Sequence, residues 1–466
     1  MILVLVKLRF LQILLTFIAQ GAREMPSKGS FFFSNRGNQA IHSMNKLFYF
    51  LRDYKNLEKP VLNVIASEFF IQLVNATFMN ILPLYMTRKG FSDEEIALFI
   101  TFRFLGVFAL ALPLGKLIRG KKLLPLFYIA NLCIPVFGLA IVMCIAMGWK
   151  SLTIVSLLLW GASFTFMQVP VSPFILRNTS KLHHTAALSL SYSTWSFAGI
   201  LSGIVIAVLD AIQPQVFDEQ FILIFFSLMG VGGLFYLLRT RNYKEVAIEN
   251  QNDEQTELFP KPPKTEWWLI AKALVPTLII ATGAGLTIPF ISLFFEHVHG
   301  VDKGGFSVLS SVAAVLVAYF AMLVPTIKEK VGYKIAIPSS QSMAVIALVA
   351  LATTQYYSHY AMAIVIASGC YLLRQPLMNM AAPMTSELVL NYVGHHNREI
   401  TSALTSAIWS GSWVISGFMV KMLFARNYEF ASVFLITALL YGIGVILYYL
   451  LILDYNKREK SGLIQN

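Results

Sequence analysis

Twelve long apolar stretches constrain most strongly what this chain can fold into. Each holds about 20 or more mainly apolar residues, the length of helix that crosses the hydrocarbon core of a bilayer. Only 13% of the residues are charged, against about 25% in a typical soluble domain. The sequence therefore predicts an all-α membrane protein with twelve transmembrane helices, multi-pass in the cell (inner or plasma) membrane. The stretches are 61–86, 94–118, 123–147, 151–176, 184–212, 217–238, 267–296, 304–327, 333–357, 359–382, 400–425 and 428–454.

The distribution of basic residues predicts the orientation of these helices. If residue 60 is cytoplasmic, the segments on that side contain 22 Lys and Arg residues, and those on the other side contain five. Cytoplasmic loops of membrane proteins carry such an excess, so we expect both termini in the cytoplasm. The formal net charge of +12 then reflects topology, and we expect no nucleic-acid partner. The five basic residues on the other side are Arg88, Lys89, Lys150, Lys303 and Arg426.

A repeated segment indicates that the chain is built from two similar halves. WSFAGILSG begins at Trp195 and WSGSWVISG at Trp409, in the fifth and eleventh stretches. A His-His pair precedes each copy, and Pro173 and Pro383 close the preceding stretches. We expect Gly199 and the other small residues to let helices pack closely, and we assign the tryptophans mainly to packing.

The stretches and the repeat together predict five regions. Residues 44–238 form an N-terminal six-helix half and residues 267–455 a C-terminal one. Residues 239–266 are charged and contain prolines, which is typical of a cytoplasmic linker. Residues 1–43 are interpreted as a poorly ordered extension from a misassigned start, and residues 456–466 as a cytoplasmic tail.

This layout resembles the major facilitator superfamily, whose members carry the motif G-x-x-x-D-R-x-G-[RK]-[RK] between helices 2 and 3 and again between helices 8 and 9. The segment PTIKEKVGYK at 325–334 is similar, and GKLIRGKK at 115–122 is a shortened copy without the acid. The resemblance implies that Glu329 inherits the acid of a gate that closes the inner face. It also implies a central cavity lined by helices 1, 4, 7 and 10. The implied gate residues are Arg119, Lys121, Lys122, Glu329, Lys330 and Lys334.

Charged residues inside the apolar stretches are candidate functional groups, since a charge at the bilayer centre costs about 2.5–3.5 kcal/mol on insertion scales. Glu68 lies in the first stretch and Arg374 in the tenth, so the resemblance implies that both face the cavity. Glu68 is the candidate proton-coupling site because desolvation favours a protonated carboxyl group. The alternative is that Glu68 and Arg103, in the second stretch, form an intramembrane charge pair.

Polar residues near these charges complete the predicted solute site. Gln72 and Asn75 follow Glu68 at four and seven residues, which places all three on one helical face. The planar fork of Arg374 suits an anionic or hydroxyl-rich group. The predicted substrate-binding residues are Gln72, Asn75, Gln168, Tyr371, Arg374, Gln375 and Asn379.

These observations predict a secondary active transporter that moves a small polar organic solute by alternating access, coupled to protons. Two alternatives remain open: a multidrug/proton antiporter of the same superfamily, and a multipass sensor or scaffold that transports nothing. The sequence contains no H-E-x-x-H, G-x-S-x-G or nucleotide-binding loop, so we expect neither an enzyme nor a cofactor or metal site. The expected partners are the solute, protons and the lipid bilayer, and we expect a monomer.

Overall fold

The computed structural model describes residues 54, 57–91, 93–213, 216–243, 245, 265–301, 303–426 and 428–461. The extension predicted for residues 1–43 and most of the linker predicted for 239–266 lie outside these residues. All the regular structure in the described part of the chain is helical. The predicted all-α class is therefore confirmed for these residues.

The helical segments are numbered here α1 to α12 in chain order. Two of them are interrupted: α6 at Val231, and α7 by a 3₁₀ turn at Ile288–Phe290. The continuous run Lys303–Thr353 contains two helices, because α8 ends and α9 begins at Gly332. The segments are α1 Lys59–Arg88, α2 Asp93–Leu117, α3 Leu124–Ala146, α4 Lys150–Asn178, α5 His184–Ile212, α6 Glu219–Gly230 with Gly232–Leu238, α7 Trp267–Thr287 with Ile291–His299, α8 and α9 within Lys303–Thr353, α10 Ala361–Tyr392, α11 Arg398–Ala425 and α12 Phe430–Lys460.

Nine helical stretches in the described residues are long and apolar enough to cross a membrane. One of the nine contains both α8 and α9, and α2 and α11 are not among them. The prediction that twelve helices cross the membrane therefore remains a prediction. The nine are Lys59–Arg88, Leu124–Ala146, Lys150–Asn178, Lys181–Leu209, Glu219–Leu238, Trp267–His299, Val308–Tyr357, Ala361–Tyr392 and Phe430–Lys460.

The outer helices expose large apolar side chains rather than polar ones. Leu132 of α3 is 55% exposed, Ile346 of α9 is 68% exposed and Leu439 of α12 is 66% exposed. A helix in water would place polar residues on such a face, whereas in lipid an apolar face is solvated. The exposed surface of the bundle therefore fits a hydrocarbon environment.

The buried apolar residues form two clusters that follow the two halves of the chain. One lies in α1 to α6, with three residues from α10 and α11 added, and the other lies in α7 to α12. The halves pack against each other through α2 with α11 and through α5 with the run that contains α8. We call the end of the bundle where α6 ends and α7 begins the linker end. The α2–α3, α4–α5, α8–α9 and α10–α11 connections lie at this same end, because the chain reverses direction at each connection.

The α8–α9 corner at the linker end consists of a single glycine. Gly332 has a φ of 67° and a ψ of 173°, which is readily accessible only to glycine because a Cβ would clash with the backbone. Gly332 is also the residue that matched the glycine of the superfamily motif. The motif therefore marks a tight corner between two long helices.

The two halves differ where their first helices pass a proline. Pro83 lies within α1, which stays helical to Arg88, whereas Pro289 lies in the 3₁₀ turn that interrupts α7. The two prolines occupy similar positions in the sequence, in ILPL at 81–84 and TIPF at 287–290. The structure shows that only the second interrupts its helix, next to Ile288, which lines the central cavity.

Residues after α6 attach that part of the chain to the start of α3. The carboxylate of Glu245 accepts hydrogen bonds from the backbone N–H groups of Leu123 and Leu124 at 2.9–3.0 Å. The first N–H groups of a helix have no partner within the helix, so an acidic side chain stabilises them. Tyr243 donates a hydrogen bond to Asn178 Oδ1 at the end of α4. The beginning of the predicted linker is therefore bound to the first half.

Candidate functional site: a central cavity and its closed end

A cavity of about 510 Å³ lies between the two halves. Helices α1, α4, α7 and α10 contribute to it, as the resemblance implied, but α5, α11 and α12 contribute as well, and α2 and α9 add one residue each, Phe104 and Gln341. Its size falls within the range of about 300–1,000 Å³ that is usual for small-molecule sites. The predicted site residues that line it are Glu68, Gln72, Gln168, Arg374, Gln375 and Asn379.

Glu68 faces the cavity from the first half. Its side chain is buried, with 7% exposed, and Oε2 accepts a hydrogen bond of 2.6 Å from the hydroxyl of Ser191 on α5. No ion pair in the described residues includes Glu68. A carboxyl group whose partners are the neutral Ser191 hydroxyl and the neutral Gln72 amide can take up and release a proton without breaking a salt bridge.

The charge pair between Glu68 and Arg103 considered in the sequence analysis does not form. The Arg103 guanidinium instead donates to Asn75 Oδ1 and Met79 Sδ on α1, and it lies 4.7 Å from the ring centroid of Trp160. Aromatic faces attract a guanidinium electrostatically, so the cation is accommodated without an acid. Arg103 is therefore a contact between α1, α2 and α4.

Asn75, predicted as a substrate-binding residue, belongs to this contact and does not line the cavity. Its amide donates to Gln72 Oε1 at 2.9 Å while its oxygen accepts from Arg103. Asn75 therefore joins Arg103 to Gln72, which does line the cavity.

Arg374 faces the cavity from the second half. It is 1% exposed, and its guanidinium donates to the Tyr441 hydroxyl at 3.2 Å and to Gln375 Oε1 at 3.4 Å. The Nε atom is buried and has no hydrogen-bond partner. Tyr371, predicted at this site, lies behind the lining, where its hydroxyl accepts from Gln375 at 3.3 Å and its ring packs against Phe295 and Phe306.

The repeated tryptophans line the cavity, which corrects their assignment to packing. Trp195 is 56% exposed and Trp409 is 38% exposed, and both belong to the cavity wall. Trp413, also in the second repeat, stacks on Phe104 of α2 with ring centroids 5.9 Å apart. The expectation of close packing fails at Gly199 and Gly203, where a Cβ would meet no atom within 4 Å, but small residues of the second copy do pack closely, since Ser416 lies against Gly285 of α7.

Ion pairs and hydrogen bonds between the halves cluster at the linker end. Arg177 of α4 pairs with Glu399 of α11, and both side chains are buried. Lys328 of α8 donates to Glu387 of α10 at 2.8 Å and to Thr185 of α5 at 2.6 Å. Thr185 in turn donates to Glu387. We call these five residues the gate, since they hold the two halves together on one side of the cavity.

Arg119 and Ser402 add further contacts at this end. The Arg119 side chain donates to His396 O at 2.6 Å and to Asn397 Oδ1 at 3.4 Å. Ser402 donates to the backbone oxygen of Val169 at 2.7 Å. Arg119 therefore joins the halves, as the motif implied.

The other motif residues do not take the implied role. Glu329, Lys330 and Lys334 are exposed, and Glu387 and Glu399 supply the acids of the gate. Lys121 contributes its backbone oxygen, which accepts from Arg177 at 2.8 Å, while its side chain and that of Lys122 are exposed. The sequence analysis missed Glu387 and Glu399 because they lie near helix ends, where charges are common.

Comparison with protein families identifies the chain. The family model described as Major Facilitator Superfamily matches residues 64–417. The chain belongs to the major facilitator superfamily. A comparison of the sequence with curated proteins finds no match. The chain is accordingly a multi-pass membrane protein of a transporter superfamily.

Solved structures of superfamily transporters share its fold at low sequence identity. A bacterial homologue of the iron transporter ferroportin, in an outward-facing state, has a TM-score of 0.67 and 11% identity, covering 86% of this chain and 100% of that chain. The E. coli fucose:proton symporter has a TM-score of 0.66 and 14% identity, covering 84% and 98%. The proton:xylose symporter bound to 6-bromo-6-deoxy-D-glucose has a TM-score of 0.66 and 12% identity, covering 85% and 95%. At these identities the likeness concerns the fold alone.

Proposed function

We propose that this protein is a proton-coupled secondary transporter that moves a small polar organic solute by alternating access. The main support for this proposal is the cavity between the halves, to which the first half contributes the carboxyl group of Glu68 and the second half the guanidinium of Arg374. Superfamily transporters bind their solutes at such an interface and rock the halves about it. The fucose and xylose symporters among the structural neighbours are proton-coupled, which supports the same class of coupling here.

Glu68 is the proposed proton site and Arg374 the proposed solute contact. Glu68 hydrogen-bonds to Ser191, on another helix of its own half, so a change of its charge can alter how α1 and α5 pack. Arg374 contacts Tyr441 of α12 and can pass the effect of a bound solute to that helix. The two ionisable groups therefore belong to different halves.

The linker end is proposed to be the cytoplasmic end, which rests on the excess of basic residues there. The gate then closes the inner side, and the structure corresponds to an inward-closed state. The neighbour solved in an outward-facing state supports this interpretation. Transport requires the gate to open and the opposite ends of the halves to close.

Reconstitution in liposomes tests the proposal. Purified protein is exposed to an imposed proton gradient and to a panel of sugars, organic acids and cationic dyes. We expect one class to accumulate only when the gradient is present, and a proton ionophore to abolish the accumulation. Accumulation of dyes against the proton gradient would favour a drug antiporter, and no accumulation of any solute would favour a sensor or scaffold.

A further inference from the structure

The guanidinium of Arg374 is a buried positive charge without a negative partner. Arg374 is 1% exposed, and none of the ion pairs in the described part of the chain includes it. Its contacts are the hydroxyl and the ring face of Tyr441, 5.7 Å from the ring centroid, and the amide of Gln375, all of them neutral, while Nε has no hydrogen-bond partner. A buried charge is unfavourable unless it is paired and its donors are satisfied. This site is therefore incomplete without a further group.

Other buried arginines in this chain are accommodated by protein groups. Arg177 pairs with Glu399, and Arg103 is held by Asn75, Met79 and the face of Trp160. Neither of these two arginines lines the cavity, whereas Arg374 does. Among the described residues Arg103 also lacks an acid, and the Nε of Arg177 also lacks a partner, but of these three only Arg374 combines both features and lines the cavity.

A carboxylate is the group that best completes the Arg374 site. Guanidinium donors match the two oxygens of a carboxylate in plane and spacing, and such bonds are about twice as strong as neutral ones. Glu68, the acid of the opposite half, hydrogen-bonds to Ser191 instead. The position beside Arg374 is therefore open to a carboxylate of the solute.

The rest of the cavity wall suits a hydroxylated ring. Trp195 and Trp409 present half-exposed indoles, whose flat apolar faces can pack against the C–H face of a sugar ring. Ser172, Ser406 and Ser410 add hydroxyl groups to the same wall, and these can donate to or accept from sugar hydroxyls.

We infer that the solute is a hydroxylated monocarboxylic acid of sugar size, such as a sugar acid, with its carboxylate on Arg374. This inference rests on the proposed function, because it takes the cavity as the transport site. It also has a consequence for coupling: one proton moving with one monoanion carries no net charge. Uptake should then respond to a pH gradient and not to a membrane potential.

Binding to the purified full chain tests the solute class without requiring transport. The probes are galacturonate with galactose and galactosamine, and glucuronate with glucose and glucosamine, each added to detergent-solubilised protein at pH 7. We expect at least one acid to raise the thermal midpoint while its neutral and amino counterparts leave it unchanged. The inference is overturned if neither acid raises the midpoint, or if a neutral or amino sugar raises it as much.

Two buried arginines provide a matched pair of variants. Arg374→Gln should weaken acid binding roughly 10–100-fold, because charged hydrogen bonds are lost, and Arg103→Gln should leave it unchanged. Arg374→Lys keeps the positive charge but loses the planar guanidinium. Its affinity for the acid should lie between those of Arg374→Gln and the wild type. Full acid affinity in both Arg374 variants would overturn the inference.

Failure of the inference differs from failure of the proposed function. A neutral sugar that binds and accumulates in liposomes refutes the acid while transport stands. An acid that binds but never accumulates supports the inference about the site and refutes transport. Acid uptake driven by a potassium diffusion potential without a pH gradient would contradict the electroneutral step.

Discussion

Arg177 of α4 and Glu399 of α11 form an ion pair between the two halves, and both side chains are almost inaccessible, at 5% and 0% exposed. The pair lies at the linker end, beside the contacts of Lys328 with Glu387 and Thr185. Removing one member of a buried pair leaves an uncompensated charge, which costs about 3–5 kcal/mol. This single contact is therefore large enough to bias the equilibrium between closed and open forms of this end.

We expect Glu399→Gln to open the linker end, because a neutral amide cannot balance the charge of Arg177, whose other partner is the backbone oxygen of Lys121. The measurement is the labelling of Ser406→Cys, in the cavity wall, by an impermeant maleimide added at the linker end. The three native cysteines are replaced first. Labelling should become faster in Glu399→Gln.

The matched control for this experiment is Glu329→Gln. Glu329 is an exposed acid near the same end and carries the motif position, so its change should leave the labelling rate unaltered. Equal rates in the parent and in Glu399→Gln would show that the buried pair does not hold the gate. Faster labelling in Glu329→Gln alone would indicate that Glu329 is the acid that closes this end, as the motif implied.

Glu68→Gln should abolish accumulation driven by a proton gradient and preserve solute exchange. The amide keeps a similar shape and can still bond to Ser191, but it cannot bind and release a proton. Exchange of labelled for unlabelled solute needs no net proton movement and should continue. Glu68→Asp is the control, since it keeps a carboxyl group and should keep gradient-driven accumulation. Gradient-driven accumulation by Glu68→Gln would exclude this carboxyl as the coupling site.

His395 should make the linker end less stable in mild acid. Partial burial, followed by the nearby Arg398 and the neighbouring His396, lowers the pKa of His395 from 6.5 to about 4. Its Nδ1 accepts a hydrogen bond from Arg398 at 2.9 Å, which requires the unprotonated nitrogen. Between about pH 6.5 and pH 4 the unfolded chain binds a proton that the folded chain does not. The free energy of unfolding therefore decreases as the pH is lowered through this range.

The thermal midpoint measured from pH 7.5 to 4.5 checks this expectation. The wild type should lose more stability over this range than His395→Gln, and above pH 7 the pH dependence of the two should coincide. The ring is still exposed to solvent, so we expect a small difference. Parallel curves throughout the range would contradict the role of His395.

Gly161→Ala should destabilise the protein, while Gly199→Ala should be neutral or slightly stabilising. A Cβ on Gly161 would overlap the carbonyl oxygen of Arg103, where α2 and α4 cross closely, and one on Gly199 would meet no atom. Overpacking costs roughly 1–3 kcal/mol, and alanine favours a helix over glycine by roughly 0.5–1 kcal/mol. Unfolding by increasing concentrations of a denaturing detergent measures both changes in stability. Equal stability of the two variants would contradict the close approach of α2 and α4 at Gly161.

The helices and much of the cavity could be predicted from the sequence. Long apolar stretches have few alternatives to helices in lipid, and the rarity of charges there marked Glu68 and Arg374. The helical spacing of Gln72 also put it on the correct face. These predictions depend on local composition and period, which a single sequence contains.

Partners distant in sequence could not be predicted. Arg177 and Glu399 are separated by more than 200 residues, and charges at helix ends are usually explained by topology alone. The sequence allowed Glu68 to pair with Arg103, because both lie inside apolar stretches. In the structure Asn75 and Trp160 contact the Arg103 guanidinium instead. The close packing expected at Gly199 is absent for a related reason: the sequence shows that a residue is small, but not whether another helix lies against it.

The exposure of Trp195 and Trp409 to the cavity makes the protein its own optical reporter. Indole fluorescence depends on the polarity around the ring, and a solute that displaces water from these two faces changes that polarity. Trp195 belongs to the first half, and Trp409 and Trp413 of the cavity wall belong to the second, so Trp195→Phe and the pair Trp409→Phe with Trp413→Phe separate the signals. The repeat that first indicated a duplicated architecture thereby provides built-in sensors in each of the two halves.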